Sequence, residues 1–585
     1  MAPWTHIVVL AALALARAGA RMPPDARALH EDFKGQALAG APPPEAKAAA
    51  AAAALAEEAA TTPAADEEEC LTAPFPRPLV HFTPKTNWIN DPNGLLYAGG
   101  EWHLFYQFSP LSPLPRNISW GHAVSRDLVR WTELSSEGKP AIPFDGDREL
   151  IFSGSAVLDQ DNTSGLGTTE NPPMVAIYTS HNASKQAQSL AYSLDAGRTW
   201  TKYAGNPVLD ENEKEFRDPK VQWHEPTRRW LMAVAMPDER KVRFYSSPDL
   251  KAWTLLSAFG PMGAVAGQYE CPDLFPLPVD GDLARIKWVL IVNVNPGGLQ
   301  GGSSGQYFIG DFDGERFVPD NKDPAAVRWL DYGKDYYAAI SWVGAPDGKR
   351  YMIGWMSNWL YATQTPTSPW RNSMSVPRVM SLRSRAGAPD GVDLVQEPVP
   401  ALEATLRPMQ MAPVSITVRR RPMLLYSGCN GAYYLEVTVT LGTGATGVSI
   451  LLRASPNFTS GTDVTWNANK GELSVDRRES GATDFSPDFP GVHVAPLARD
   501  TLPDGKLKLK ILVDEGSVEV FADGGRVAIT DLIFPKDEDN LIVVKTNGPG
   551  EATFGNLTVT PLRPYRESCQ AKESTCRLLD RPHEI

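Results

Sequence analysis

The chain has 585 residues, of which 42% are hydrophobic and 21% charged, so it can bury a large core and is not a disordered scaffold. Its formal net charge is -13 and the longest basic run is Arg419-Arg420-Arg421, which excludes a nucleic-acid or anionic-lipid partner held by electrostatics.

The N-terminus, Met1 to Ala20, has an apolar stretch from Ile7 to Ala16 and ends in Ala18-Gly19-Ala20, the small-x-small pattern of a secretory signal. It lacks Lys and Arg before the apolar stretch, so an uncleaved anchor is the alternative. Nothing else approaches the length of a membrane helix, and no membrane partner is expected once the signal is cleaved. Residues 21–74 are rich in Ala, Pro and Glu and read as a tether. Asn-x-Ser/Thr sequons at Asn117, Asn162, Asn182, Asn457 and Asn556 fit a secreted chain, either extracellular or retained in a cell wall or vacuole. The five cysteines are too few to build the fold; Cys569 and Cys576 are close enough in sequence to pair, and the odd count leaves at least one thiol free.

From Phe75 onward, short runs of Val, Ile, Tyr, Phe and Trp broken by Gly, Pro, Asn and Asp predict an all-β chain. Apolar strands recur at HLFYQF, MVAIYTS, WLMAVAM, WVLIVNV and YMIGWM. Each follows a segment that carries polar or acidic residues: NDPNGLLY, FSGSAVL, FRDPKVQW, YECPDLFP and DYYAAISW. Four are followed by a turn closing on an aromatic residue, as in AVSRDLVRW and FYSSPDLKAW. Five such units predict a five-bladed β-propeller over 75–395, whose innermost strands would bring Asp91, Asp218 and Glu270 to one central pocket. Period-two alternation in Leu507 to Phe521 predicts a C-terminal β-sandwich over 396–562, followed by a tail at 563–585.

Taken singly, the acidic motifs have ordinary explanations. Asp91-Pro92-Asn93-Gly94 satisfies turn chemistry at every position, and Phe216-Arg217-Asp218-Pro219 reads as a solvated loop. Glu270 sits among apolar and small residues, where an unpaired charge is costly. Together they supply the paired carboxylates of glycoside hydrolysis, one attacking or stabilising the anomeric carbon and the other protonating the leaving oxygen. Ser193-Leu194-Asp195-Ala196-Gly197-Arg198-Thr199-Trp200 fits the Asp-box of sialidases and other propellers, a structural turn that does not by itself specify a sialidase.

WINDPNG, FRDPK and YECPD, in this order and with the accessory blocks WGHAVSRDLVRW, FSGSAV and GWMSNW, resemble the signature motifs of glycoside hydrolase family 32, the β-fructofuranosidases. The resemblance spans about Phe75 to Leu562 and is nearer to fungal and bacterial invertases and exo-inulinases than to plant enzymes. It implies a five-bladed propeller with a β-sandwich, and a retaining enzyme that releases terminal fructose from sucrose, inulin or levan. By resemblance Asp91 is the nucleophile, Glu270 the acid and base, and Asp218 the holder of fructose hydroxyls. Asn90, Gln107, Trp120, Phe152, Ser153, Arg217 and Trp355 match contacts to the fructosyl ring, with Trp120 and Trp355 as apolar walls. A fructosyltransferase and a fructan-binding protein without turnover are the alternatives. No cluster of His, Cys and carboxylates stands at metal-ligand spacing, so neither metal nor cofactor is expected. Two carboxyls in one pocket repel each other, which raises the pKa of the one that holds the proton and predicts an acidic optimum.

Overall fold

The computed structural model describes residues 75–135, 138–146, 148–388, 391–406, 413–427, 431–562 and 577–584. The signal, the tether and the Cys569–Cys576 pair lie outside them. The described residues form β-strands almost throughout, with one short α-helix, Pro400–Leu406.

Five antiparallel four-stranded meanders follow one another along the chain, beginning with the strands Asn87–Ala98, Leu150–Leu158, Arg217–His224, Gln268–Val279 and Tyr337–Ser341. These first strands are the polar and acidic segments seen in the sequence, and the recurring apolar runs are the second strands beside them. The first strands pack against one another in a closed cycle, the Tyr337–Ser341 strand returning to Asn87–Ala98. The fifth meander ends in Val392–Pro398, paired with Arg378–Ser384.

The third-strand turns repeat one side-chain device. Ser125, Ser193 and Ser247 donate their hydroxyls to the Asp two residues on, at 3.1, 2.7 and 3.1 Å. That Asp then accepts turn N–H groups, as Asp195 does from Thr199 at 2.8 Å and Asp249 from Ala252 at 2.8 Å. The Asp-box is therefore one instance of a turn that recurs among the described residues, and its role is to satisfy backbone donors.

The C-terminal region contains a six-stranded and a seven-stranded sheet. Leu509, Ile511, Val513, Val518 and Val520 from the first and Ile450, Leu452, Val464 and Trp466 from the second share one core. Within the alternating stretch Leu507 to Phe521, Leu507–Asp514 pairs antiparallel with Ser517–Ala522. The opposite face of this sheet is also covered: Leu512, Phe521 and Ala528 join the core around Trp88 and Trp355. Glu519, on that face, is consequently fully buried, and it is paired with Arg378 at 2.6 Å and His81 at 2.9 Å.

Candidate active site

All five first strands shift register at the same level. The irregularities fall between Ile89 and Pro92, Phe152 and Gly154, Arg217 and Lys220, Glu270 and Asp273, and Tyr337 and Ile340. A bulge re-aims the extra residue away from the ladder. Three of the bulges contain proline, Pro92, Pro219 and Pro272, which can stand where a strand donates no ladder bond. Asp-Pro-Asn-Gly thus proves to be the kink of a twelve-residue strand and not a reverse turn. At Gly94, φ is +53° and an added Cβ would lie 2.6 Å from the Phe105 ring, so only glycine closes the kink against its neighbour.

Asp91 projects from the first bulge. Its Oδ2 accepts from the Ser153 hydroxyl at 2.6 Å and its Oδ1 from the Asn90 amide at 3.0 Å. The Trp88 indole N–H donates to Asn90 Oδ1 at 2.8 Å, which turns the amide NH2 toward the carboxylate. Asp218 has a left-handed backbone, φ 64°, and accepts from the Cys271 N–H at 2.9 Å, while its own N–H donates to Thr179 Oγ1 at 3.0 Å. The Cys271 sulfur lies 3.6 Å from Oδ2 of both Asp91 and Asp218, so the two carboxylates face a single buried thiol. Glu270, the residue before it, receives Nε and Nη2 of Arg217 on Oε1 at 3.2 and 2.8 Å, and the Tyr337 hydroxyl on Oε2. Arg217 also donates to Glu215 and to Gln268 Oε1, the latter at 2.9 Å.

The electrostatics follow from this crowding. Burial pushes the Asp91 carboxyl up, and the Glu270 charge adds to it against the hydrogen bonds of Ser153 and Asn90. Asp218 is pushed up to about 7, chiefly by burial, against the pull of the Arg217 charge and with the charges of Glu270 and Asp91 adding to the rise. Burial and the three carboxylates push the Cys271 thiol well up, so it stays protonated and packs as a small apolar group. Burial thus favours the protonated forms of Asp91 and Asp218 over those of free carboxyls.

Arg217 and Asp218, read alone as a solvated loop, are buried. Lys220, in the same motif, lies beneath them with its ammonium bonded to the Ser341 carbonyl and 3.5 Å from Asp273. Gln107 is buried and donates to the Ile151 carbonyl at 3.0 Å, bracing the strand that carries Ser153. Phe152 is half-buried and stacks on His181, with ring centroids 4.4 Å apart. Trp120 and Trp355 depart from expectation. Both are fully buried, so neither offers a face to a ligand. Trp120 donates its indole N–H to the Phe152 carbonyl at 3.0 Å, and Trp355 packs between Trp88 and Tyr337. The half-exposed ring beside Trp355 is that of Trp359, 4.9 Å away.

Sequence reasoning passed over Tyr337 and Trp359. Tyr337 had a signal, since DYYAAISW is the first segment of its unit and so lines the same centre as Asp91. Trp359 had none, because burial distinguishes it from Trp355 and spacing does not. Among the described residues no group of three or more His, Cys, Asp or Glu side chains is arranged to hold a metal ion, and no helix is long and apolar enough to cross a membrane.

Comparison with known proteins gives the family. A levanase of Bacillus subtilis is 44% identical over 496 residues, covering 83% of this chain and 70% of its own length. An extracellular exo-inulinase of Aspergillus awamori is 38% identical over 490 residues, covering 78% of this chain and 89% of its own. The crystal structure of exo-inulinase from Aspergillus awamori superposes with a TM-score of 0.77 at 36% identity, covering 84% of this chain and 99% of that one. The glycosyl hydrolases family 32 N-terminal domain matches residues 81–398 and the family 32 C-terminal domain matches 405–561, so the chain belongs to glycosyl hydrolase family 32.

Proposed function

We propose that this protein is a secreted, retaining β-fructofuranosidase that releases terminal fructose from fructans of the levan and inulin types and from sucrose. The observation that carries this reading is the meeting of Asp91, Asp218 and Glu270 around Cys271, with Arg217 and Tyr337 on the glutamate. The names of the levanase and exo-inulinase relatives supply the substrate class, and the word extracellular in one of them supports secretion.

In this mechanism Asp91 attacks the anomeric carbon of the fructosyl unit while Glu270 gives its proton to the departing oxygen. The resulting fructosyl-enzyme ester is then cleaved by water that Glu270 deprotonates, so configuration is retained. Ser153 and Asn90 orient the Asp91 carboxylate for attack. Asp218 accepts fructose hydroxyls and stabilises the oxocarbenium-like transition state. Tyr337 and Arg217 hold the glutamate. Phe152 and Trp359 are the half-buried rings that would flank a sugar at the mouth.

The cycle of first strands and the two C-terminal sheets support a five-bladed propeller over 75–395, extended to Pro398 by the last strand of the fifth meander, and a sandwich ending at 562. One experiment tests the enzymatic reading. The purified chain is incubated with sucrose, inulin and levan, and the first-formed anomer of fructose is followed by proton-coupled carbon NMR. Early β-fructofuranose is expected; no fructose, or early α-anomer, overturns it.

A further inference from the structure

One arginine of the C-terminal sheets bonds to two residues that flank the active-site segments. Arg477 follows the strand Glu472–Asp476 and is fully buried. Its Nη1 donates to Asp335 Oδ2 at 2.5 Å and to the Leu532 carbonyl at 3.0 Å, its Nη2 to the Tyr361 hydroxyl at 2.8 Å, and its Nε to the Phe489 carbonyl at 2.8 Å. The Tyr361 hydroxyl in turn donates to Asp335 Oδ1 at 2.5 Å. The guanidinium lies 4.0 Å over the Phe489 ring. Lysine offers neither this fork nor this plane.

Both residues that Arg477 grips in the catalytic region are two positions from the pocket. Asp335 precedes Tyr337, whose hydroxyl reaches Glu270, and Tyr361 follows Trp359, the half-buried ring that packs on Trp355. The backbone between is tied down as well. Lys334 N–H donates to Asp531 Oδ1 at 3.1 Å and Asp335 N–H to the Thr530 carbonyl at 3.0 Å, so this segment lies along the C-terminal strand Val527–Leu532. The Asn358 amide, next to Trp359, donates to the Lys334 carbonyl at 2.9 Å.

We infer that Arg477 is a positioning residue for the reaction, holding Tyr337 against Glu270 and Trp359 at the mouth through Asp335 and Tyr361. The C-terminal region is on this account part of the catalytic apparatus and not only a support. The inference rests on the proposed function, because its consequence is read in fructoside hydrolysis.

A second buried ionic cluster, His81 with Asp514 and Glu519, joins the same two regions, and His81 bonds to neither Asp335 nor Tyr361, which makes it the control. Tyr361→Phe, Arg477→Lys and His81→Gln are compared with wild type for kcat, KM, pH-rate profile and Tm. The Tyr361→Phe variant removes one hydroxyl and keeps the ring, so it tests the idea even where Arg477→Lys folds poorly. Expected is a fall in kcat of about tenfold or more for Tyr361→Phe, with a displaced alkaline limb and a raised KM. His81→Gln should lower Tm and leave kcat, KM and the profile unchanged. The inference is overturned if Tyr361→Phe and folded Arg477→Lys lose only thermal stability, as His81→Gln does. Wild-type turnover in the same series speaks to the functional reading alone; the inference is read from the ratio of variant to wild type.

Discussion

Arg217 donates to a single oxygen of Glu270 from both Nε and Nη2, at 3.2 and 2.8 Å, and leaves the other oxygen to Tyr337. A planar fork fixes the carboxyl orientation as a point charge cannot. Arg217→Lys should therefore fold normally and lose about a hundredfold in kcat/KM on sucrose. A loss within twofold would show that charge alone suffices.

Asp91→Asn and Glu270→Gln keep the shape of each side chain and remove, respectively, the attacking oxygen and the transferable proton. Each should cut kcat at least about a thousandfold without changing the near-ultraviolet dichroism of the folded protein. Full activity in either folded variant would remove that residue from the mechanism.

Asp218 should trade stability for function. Its folded pKa, pushed up to about 7, lies above the unfolded value near 3.8, so the folded state holds the proton more tightly between these limits and stability falls as pH rises through them. Asp218→Asn removes that loss. The variant should be inactive yet melt higher than wild type at pH 8, by about 1 kcal/mol or more, with the gap closing toward pH 4. Equal melting at both pH values would contradict the account.

His81 has the same sign of linkage, but there folding favours the charged form. Burial alone would lower it, but Asp514 and Glu519 raise it to about 9, above the unfolded 6.5. Its contribution to stability is complete below about pH 6.5 and is lost as pH rises through 9. His81→Gln should cost about 3 kcal/mol at pH 6, because buried Asp514 loses its cation and Glu519 keeps only Arg378. Urea unfolding at pH 6 and at pH 9.5 checks this: the difference from wild type should shrink markedly at the higher pH.

Much of this was legible in the chain. Short β-branched and aromatic runs broken by turn residues give the strands, the repeat of acidic first segments gives the common centre, and Asp91, Asp218 and Glu270 follow from it. What escaped depends on three-dimensional cover. Trp120 and Trp355 carry the same letter as Trp359, and only packing against Phe105, Tyr178 and Trp88 makes them internal. Asp-Pro-Asn-Gly has the composition of a turn and becomes a kink because Asn87–Ala98 pairs with Glu101–Ser109 on both sides of Pro92. Glu519 alternates like a surface residue and is buried because a second layer covers that face. Gly94 tests the point: Gly94→Ala meets the Phe105 ring at a left-handed φ, and should cost about 1–3 kcal/mol and lower kcat by shifting Asp91.

Ser153, Asp91, Asp218, Glu270 and Tyr337 arrive from all five first strands, and those strands touch in a ring with no free member. Parting any one seam of that ring separates a proton donor from its acceptor or an attacking group from its guide. Turnover should accordingly vanish as soon as a single meander loosens, well before the strands themselves melt, which makes the rate of sugar release a finer thermometer of this protein than its dichroism.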